Sequence, residues 1–268
     1  MHALHRHRHH DHSADFHLLY LQAKYILLDC DNTLVQSERL AFEACADLTN
    51  HLLEAKGRPE RYTVDTLLES FVGHNFQGML TKLKERHKLQ LSDAEMDDYV
   101  QRELGVVTQK LSQKAVECPG VTQQLEWAKR QGYKMAVVST SAKPRVVASL
   151  EKTNLLRFFP VEHVYSAATS LDPPSSKPDP AIYLYACEQL GVKPSEVFTV
   201  EDSKSGATAA QRAGIALIGY TGIYGIEDGR EKMEEMDRLL TEVTGAKVIM
   251  EDWKDFPAAV KKVEEGLS

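Results

Sequence analysis

The hydrophobic pattern of the chain divides it into three stretches of different character. The first apolar run, 25–28, is short and continuous and predicts a buried strand. From 38 the period changes to that of a helix: Ala41, Cys45, Leu48 and Leu52 form a stripe over 38–55, and Lys56-Gly57-Arg58-Pro59 supplies the stop. Further helices are predicted over 64–71, through Met79, Leu80 and Leu83, and from Asp93 to beyond Leu111. Ser92 is the expected N-cap of the last of these, with Glu95 at the capping-box position. Nothing between 38 and 115 reads as a strand. After Cys118-Pro119-Gly120 the chain alternates. Strands are predicted over 134–138, 164–166, 197–200, 216–219 and 247–250. Helices are predicted over 121–131, from Pro144 through Leu150, and over 181–190, 206–213, 230–243 and 257–265. Stretches 171–180 and 222–229 read as loops.

Alternating strands and helices imply α/β architecture: a parallel, Rossmann-like sheet with right-handed crossovers and helices on both faces. The reading divides the chain into a His-rich leader at 1–19, an α/β core formed by 20–37 and 116–268, and an inserted all-helical cap at 38–115. The leader holds His2, His5, His7, His9, His10, His12 and His17. Such a tract can bind transition metals, and it equally suits an unfolded tail.

Composition narrows the function. At 268 residues, 43% hydrophobic and 26% charged, the chain can bury a large core. A formal charge of −7 argues against a nucleic-acid surface. No apolar run approaches the ~20 residues of a membrane span. The four cysteines, Cys30, Cys45, Cys118 and Cys187, show no CxxC spacing and read as reduced thiols. The expectation is a cytoplasmic monomer acting on a small molecule.

Polar groups follow three predicted strands directly: Asp29 and Asp31 after the first, Ser139 after 134–138, and Glu201 and Asp202 after 197–200. In a parallel sheet these share the edge where ligands bind. Asp29 and Asp31 would point the same way if strand geometry persisted. Their repulsion would then require a cation between them or a proton on one. Each group also has an ordinary reading: Asp31-Asn32 as an Asx-type turn, Lys177 as a solvated loop lysine, Ser139 as a turn residue and Asp202 as an N-cap. No His or Cys is placed to activate a Ser nucleophile, and no Walker-type or GxGxxG loop is present. Carboxylates able to hold Mg2+, with a Lys and a hydroxyl for oxyanions, suit phosphoryl transfer, in which a carboxylate can itself attack phosphorus.

Asp29-Cys-Asp31-Asn-Thr33, Ser139 after its strand, Lys177 in Lys-Pro-Asp-Pro, and Glu201-Asp202-Ser203-Lys-Ser-Gly206 together resemble the four motifs of the haloacid dehalogenase superfamily, in order. The helical insertion after the first motif is similar to the C1-type cap of the subgroup that includes β-phosphoglucomutase and the sugar-phosphate phosphatases. The resemblance implies Asp29 as nucleophile and Asp31 as general acid/base. It implies Mg2+ held by Asp29, Asp202 and the Asp31 carbonyl, with Glu201 at the metal or orienting Lys177. Ser139 and Lys177 would bind phosphoryl oxygens, with Thr33 and Thr140 beside them, and Gly73, His74 and Asn75 would face the substrate from the cap. Asn32 stands where glycine is common. The implied activity is a Mg2+-dependent phosphatase acting on a phosphorylated metabolite, a sugar phosphate, through an aspartyl-phosphate. Alternatives are a phosphosugar mutase or an idle binding protein. The resemblance weighs against the mutase: the position of its coupling His is Ala41, and that of its cap-loop Arg is Phe76.

Overall fold

A computed structural model describes residues 23–71 and 75–267. The His-rich leader, Gly73 and His74 lie outside the described residues. The six predicted strands form one parallel sheet: β1 (Tyr25–Leu28), β2 (Lys134–Ser139), β3 (Val164–Ser166), β4 (Val197–Glu201), β5 (Ala216–Tyr220) and β6 (Val248–Met250), ordered β3-β2-β1-β4-β5-β6. β1 is therefore central, with Tyr25 beside Lys134 on one side and Val197 on the other. The order reverses at β1, which opens a crevice beyond its carboxyl end.

β1 can occupy that place because it is apolar towards both faces. Ile26 and Leu28 join one core cluster, and Leu27 joins the opposite one with Ala136, Val138 and Tyr183. Helices α5 (Val121–Arg130), α6 (Lys143–Lys152) and α11 (Phe256–Glu265) contribute to the first cluster; α7 (Ala181–Leu190) and α8 (Lys204–Ala213) contribute to the second.

Between β1 and α5 lie α1 (Glu38–Ala55), α2 (Val64–Ser70), α3 (Phe76–Arg86) and α4 (Asp93–Lys114). They share a core of their own around Leu52, Leu67, Phe71, Leu80 and Leu83. α4 begins at the expected cap: Ser92 Oγ accepts the Glu95 N–H, and Glu95 reaches back to the Ser92 N–H at 2.8 Å. It then links two cores, with Tyr99 in the helical one and Val107 and Leu111 in the sheet's.

Two expectations are corrected. The stretch 222–229 is not simply loop, because α9 (Gly222–Glu227) lies there, followed by α10 (Arg230–Glu242). Its glycines read as breakers, but Gly222 is a packing residue: an added Cβ would fall 2.3 Å from the Glu251 carbonyl. Strand geometry also does not persist from Asp29 to Asp31. The chain turns at once, with Thr33 and Leu34 N–H donating to the Cys30 carbonyl and Asn32 at φ 58°. Asparagine tolerates this left-handed conformation where most side chains would be strained.

Candidate active site

The turn after β1 sends its two carboxylates to different partners. Asp29, whose N–H still donates to Val200 across the sheet, accepts Lys177 Nζ at 2.8 Å and Thr33 Oγ1 at 3.1 Å. Asp31 accepts the hydroxyls of Ser37 and Ser141, the latter at 2.6 Å. Asn32 Oδ1 accepts the N–H groups of Ser37 and Glu38 and so ties the turn to the start of α1.

From the 171–180 loop, Lys177 runs inward and its side chain is buried. Its Nζ also donates to the Val138 carbonyl at 2.8 Å and to Glu201 Oε1 at 2.5 Å. Burial alone would lower its pKa; Asp29 and Glu201 reverse this and hold the ammonium well above the usual lysine range. Glu201 ends β4, wholly buried, and its Oε1 also accepts the Tyr183 hydroxyl. Its Oε2 has no hydrogen-bond partner. Asp202 follows, accepting Thr33 Oγ1 at 3.3 Å and Tyr224 Oη at 3.3 Å.

Ligand atoms of Asp29, Glu201 and Asp202 lie within 4.8 Å of one another. Burial raises all three carboxyls, Glu201 to about 7; against the pull of Lys177, repulsion from Asp31 adds to the rise of Asp29, from Asp29 to that of Glu201, and from Asp29 and Glu201 to that of Asp202. Three carboxylates around one ammonium leave two negative charges uncompensated, the charge of a divalent cation. The orphaned Glu201 Oε2 and an all-oxygen donor set fit such an ion. The Asp31 carboxylate is outside this cluster, since its side chain is taken up by Ser37 and Ser141.

A cavity of about 320 Å³ opens over the group, lined by Asp29, Asp31, Thr140, Lys177 and Asp202 among others. Ser139 is fully buried, and its hydroxyl accepts the Ser141 N–H; Thr140 lines the cavity at this strand end. Thr33 is buried beneath, bridging Asp29 and Asp202. Asn75 caps α3 through Oδ1 and lines an adjoining cavity of about 360 Å³.

Residues 26–220 match the model of the haloacid dehalogenase-like hydrolases. The chain belongs to this family. Within it the chain is a phosphoric monoester hydrolase. It is 31% identical to a phosphorylated carbohydrates phosphatase of Thermotoga maritima over 78% of this chain and 89% of that one. It is 28% identical to a phosphoglycolate phosphatase of Pseudomonas savastanoi pv. phaseolicola over 79% and 74%. Among solved structures it is similar to a putative beta-phosphoglucomutase of Thermotoga maritima, with 27% identity, a TM-score of 0.64 and coverage of 90% and 99%. No described helix of the hydrolase is long and apolar enough to cross a membrane.

Several residues of this hydrolase's site carry no signal in the sequence. Ser37 and Ser141 orient Asp31, Tyr183 holds Glu201, and Tyr224 reaches Asp202 from beyond the matched span. Arg145, on α6, lines both cavities. Only a hydroxyl-rich strand end, Ser139-Thr140-Ser141, could have drawn attention to Ser141.

Proposed function

We propose that the hydrolase is a Mg2+-dependent phosphatase of a small phosphorylated metabolite, a sugar phosphate, working through an aspartyl-phosphate at Asp29. The observation that carries this reading is the division of labour between the two aspartates. Asp29 shares the buried cluster with Lys177 and the orphaned Glu201 oxygen, while Asp31 is held apart by two hydroxyls.

In the first step an Asp29 carboxylate oxygen bonds to phosphorus and the ester oxygen leaves. Asp31 gives that oxygen its proton, so an alcohol departs. Asp31 then takes a proton from water, water attacks phosphorus, and the acyl-phosphate bond breaks to restore Asp29 and release phosphate. Lys177, with Thr140 beside it, neutralises charge on the transferred group, and Ser139 braces that strand end. Glu201 orients Lys177 through Oε1. Asp29, Glu201 through Oε2, Asp202 and the Asp31 backbone carbonyl would hold Mg2+, which supplies charge neutralisation at the phosphoryl oxygens. Helices α1–α4, residues 38–115, are the cap over a core of 20–37 and 116–268, with Asn75 facing the substrate cavity.

The test is a screen of phosphate esters with Mg2+, scored by released phosphate. Turnover is expected with the metal, is abolished by chelation, and is absent in folded Asp29→Asn. Substantial release by that variant would remove the covalent route. The mutase reading is tested alongside by supplying a hexose 1-phosphate with a bisphosphate. Phosphate is expected to appear faster than hexose 6-phosphate, and the reverse order would replace hydrolysis by transfer. Ala41 and buried Phe76, where the mutase resemblance calls for His and Arg, favour hydrolysis.

A further inference from the structure

The two cavities adjoin, and Arg145 is the only described charged residue that lines both. Asp29 lines only the first and Glu103 only the second, while Arg145, with Ala41, Phe42 and Thr140, lines both. An ester whose phosphorus sits at Asp29 has room to extend past Arg145 into the second cavity, of about 360 Å³.

Arg145 and Glu103 face each other there from α6 and α4. Their closest approach, Nη1 to Oε1, is 3.7 Å, with side-chain exposures of 18% and 17%. That is an ion pair but not a hydrogen bond, so both groups keep donors and acceptors to offer. The Arg145 Nε is buried without a hydrogen-bond partner. Such a donor is costly to leave unmade, and most have a partner. Nothing in the described chain supplies one.

We propose that Arg145 and Glu103 together read the leaving group, selecting phosphate esters of polyols over esters that carry a carboxylate. This rests on the phosphatase reading above. A hydroxyl both donates and accepts, so neighbouring hydroxyls can donate to Glu103 and accept from Arg145 at once. A carboxylate only accepts. Beside Arg145 it would also lie beside Glu103, where like charges in a half-buried site repel. Phe42, Phe76, Met79 and Val100 in the same wall suit the C–H faces of a carbon chain or ring, while Asn75, Gln77, Thr140 and Ser141 offer further polar groups to hydroxyls. A two-carbon acid would engage little of this surface.

The test compares kcat/KM of the full chain with Mg2+ on glucose 6-phosphate, ribose 5-phosphate, 2-phosphoglycolate and p-nitrophenyl phosphate. The last has no hydroxyl to read; it reports folding and sets the denominator. The wild type is expected to prefer a sugar phosphate to 2-phosphoglycolate. Glu103→Gln should lower the sugar-to-nitrophenyl ratio about tenfold, chiefly through KM, and raise the phosphoglycolate-to-nitrophenyl ratio. Arg145→Lys should lower the sugar ratio by a similar factor, since Lys lacks the planar fork. Ratios unchanged in both variants, or a wild-type preference for 2-phosphoglycolate, would overturn the proposal and leave the phosphatase standing. Hydrolysis of none of the four esters would overturn the phosphatase reading and this one with it.

Discussion

Gly206 shows how little room the acidic cluster has. It is the third residue of α8, and a Cβ built there falls 1.8 Å from Glu201 Oε2. That oxygen is the orphaned one, and Oε1 is already fixed by Lys177 and Tyr183. Gly206→Ala must therefore push Glu201 out of line. The expected outcome is a loss of about 1–3 kcal/mol of stability from overpacking, together with a raised Mg2+ requirement for turnover. A thermal melt and a Mg2+ activation curve check this; a variant with wild-type metal dependence would show that Glu201 Oε2 is not a ligand. Tyr183→Phe probes the other side of the same carboxylate. Losing the hydrogen bond to this buried carboxylate, together with the one shared with Thr199 Oγ1, should lower stability by about 1.5–3 kcal/mol, read from the denaturant midpoint. At this scale the motif residues were legible because carboxylates and Ser at strand ends, and a Lys in a Pro-rich loop, are unusual enough to notice. Their holders were not. Ser37, Tyr183 and Tyr224 are common residues whose importance comes only from what the fold sets opposite them. Arg145 sits on an amphipathic helix and reads as surface until Glu103 of α4 is seen facing it.

Among the elements, the segment after β6 bears on the catalytic turn more than its position in the chain suggests. Trp253 is wholly buried in a short turn before α11 and packs on Tyr220 and Phe256, with ring centroids at 5.7 and 5.1 Å. Its Nε1 donates to the Thr33 carbonyl at 3.2 Å, and Thr33 Oγ1 bridges Asp29 and Asp202. Trp253→Phe keeps an aromatic ring but removes this donor and leaves a void. The expected cost is about 1–3 kcal/mol for the unpaired carbonyl, plus a fall in kcat as the turn loosens. Unfolding and steady-state kinetics on one preparation check both; an unaltered kcat would show that the sheet alone fixes Thr33. Strands β1 to β6 were readable because each is a short apolar run between breakers, and α4 because its capping box is written in Ser92 and Glu95. The helix α9 was hidden, since Gly222 and Gly225 look like breakers. Tertiary packing overrides that propensity: Ile223 is buried and Gly222 lies close to the Glu251 backbone.

For the whole molecule, the buried cluster couples stability to pH and to metal in a direction that can be worked out. Burial raises Asp29, Glu201 and Asp202 above the ordinary carboxylate range, Glu201 to about 7. In the unfolded chain such groups titrate at about 4. Between these values the metal-free folded protein binds more protons than the unfolded chain. The cluster's contribution to stability is then fully present below the unfolded pKa and is lost as pH rises through the folded one. A divalent cation takes the place of those protons, so its stabilisation should grow with pH. With a chelator present, Tm is expected to fall between about pH 5 and about pH 8. Added Mg2+ should raise Tm more at the higher pH than at the lower. Other carboxylates on the chain titrate in the same range, so the comparison must isolate this cluster. Asp202→Asn removes one buried charge with little change of shape. In the chelator its Tm should fall less steeply with pH than the wild type's, and Mg2+ should shift it less. Equal slopes in the two proteins, or a Mg2+ shift independent of pH, would place the coupling elsewhere in the molecule.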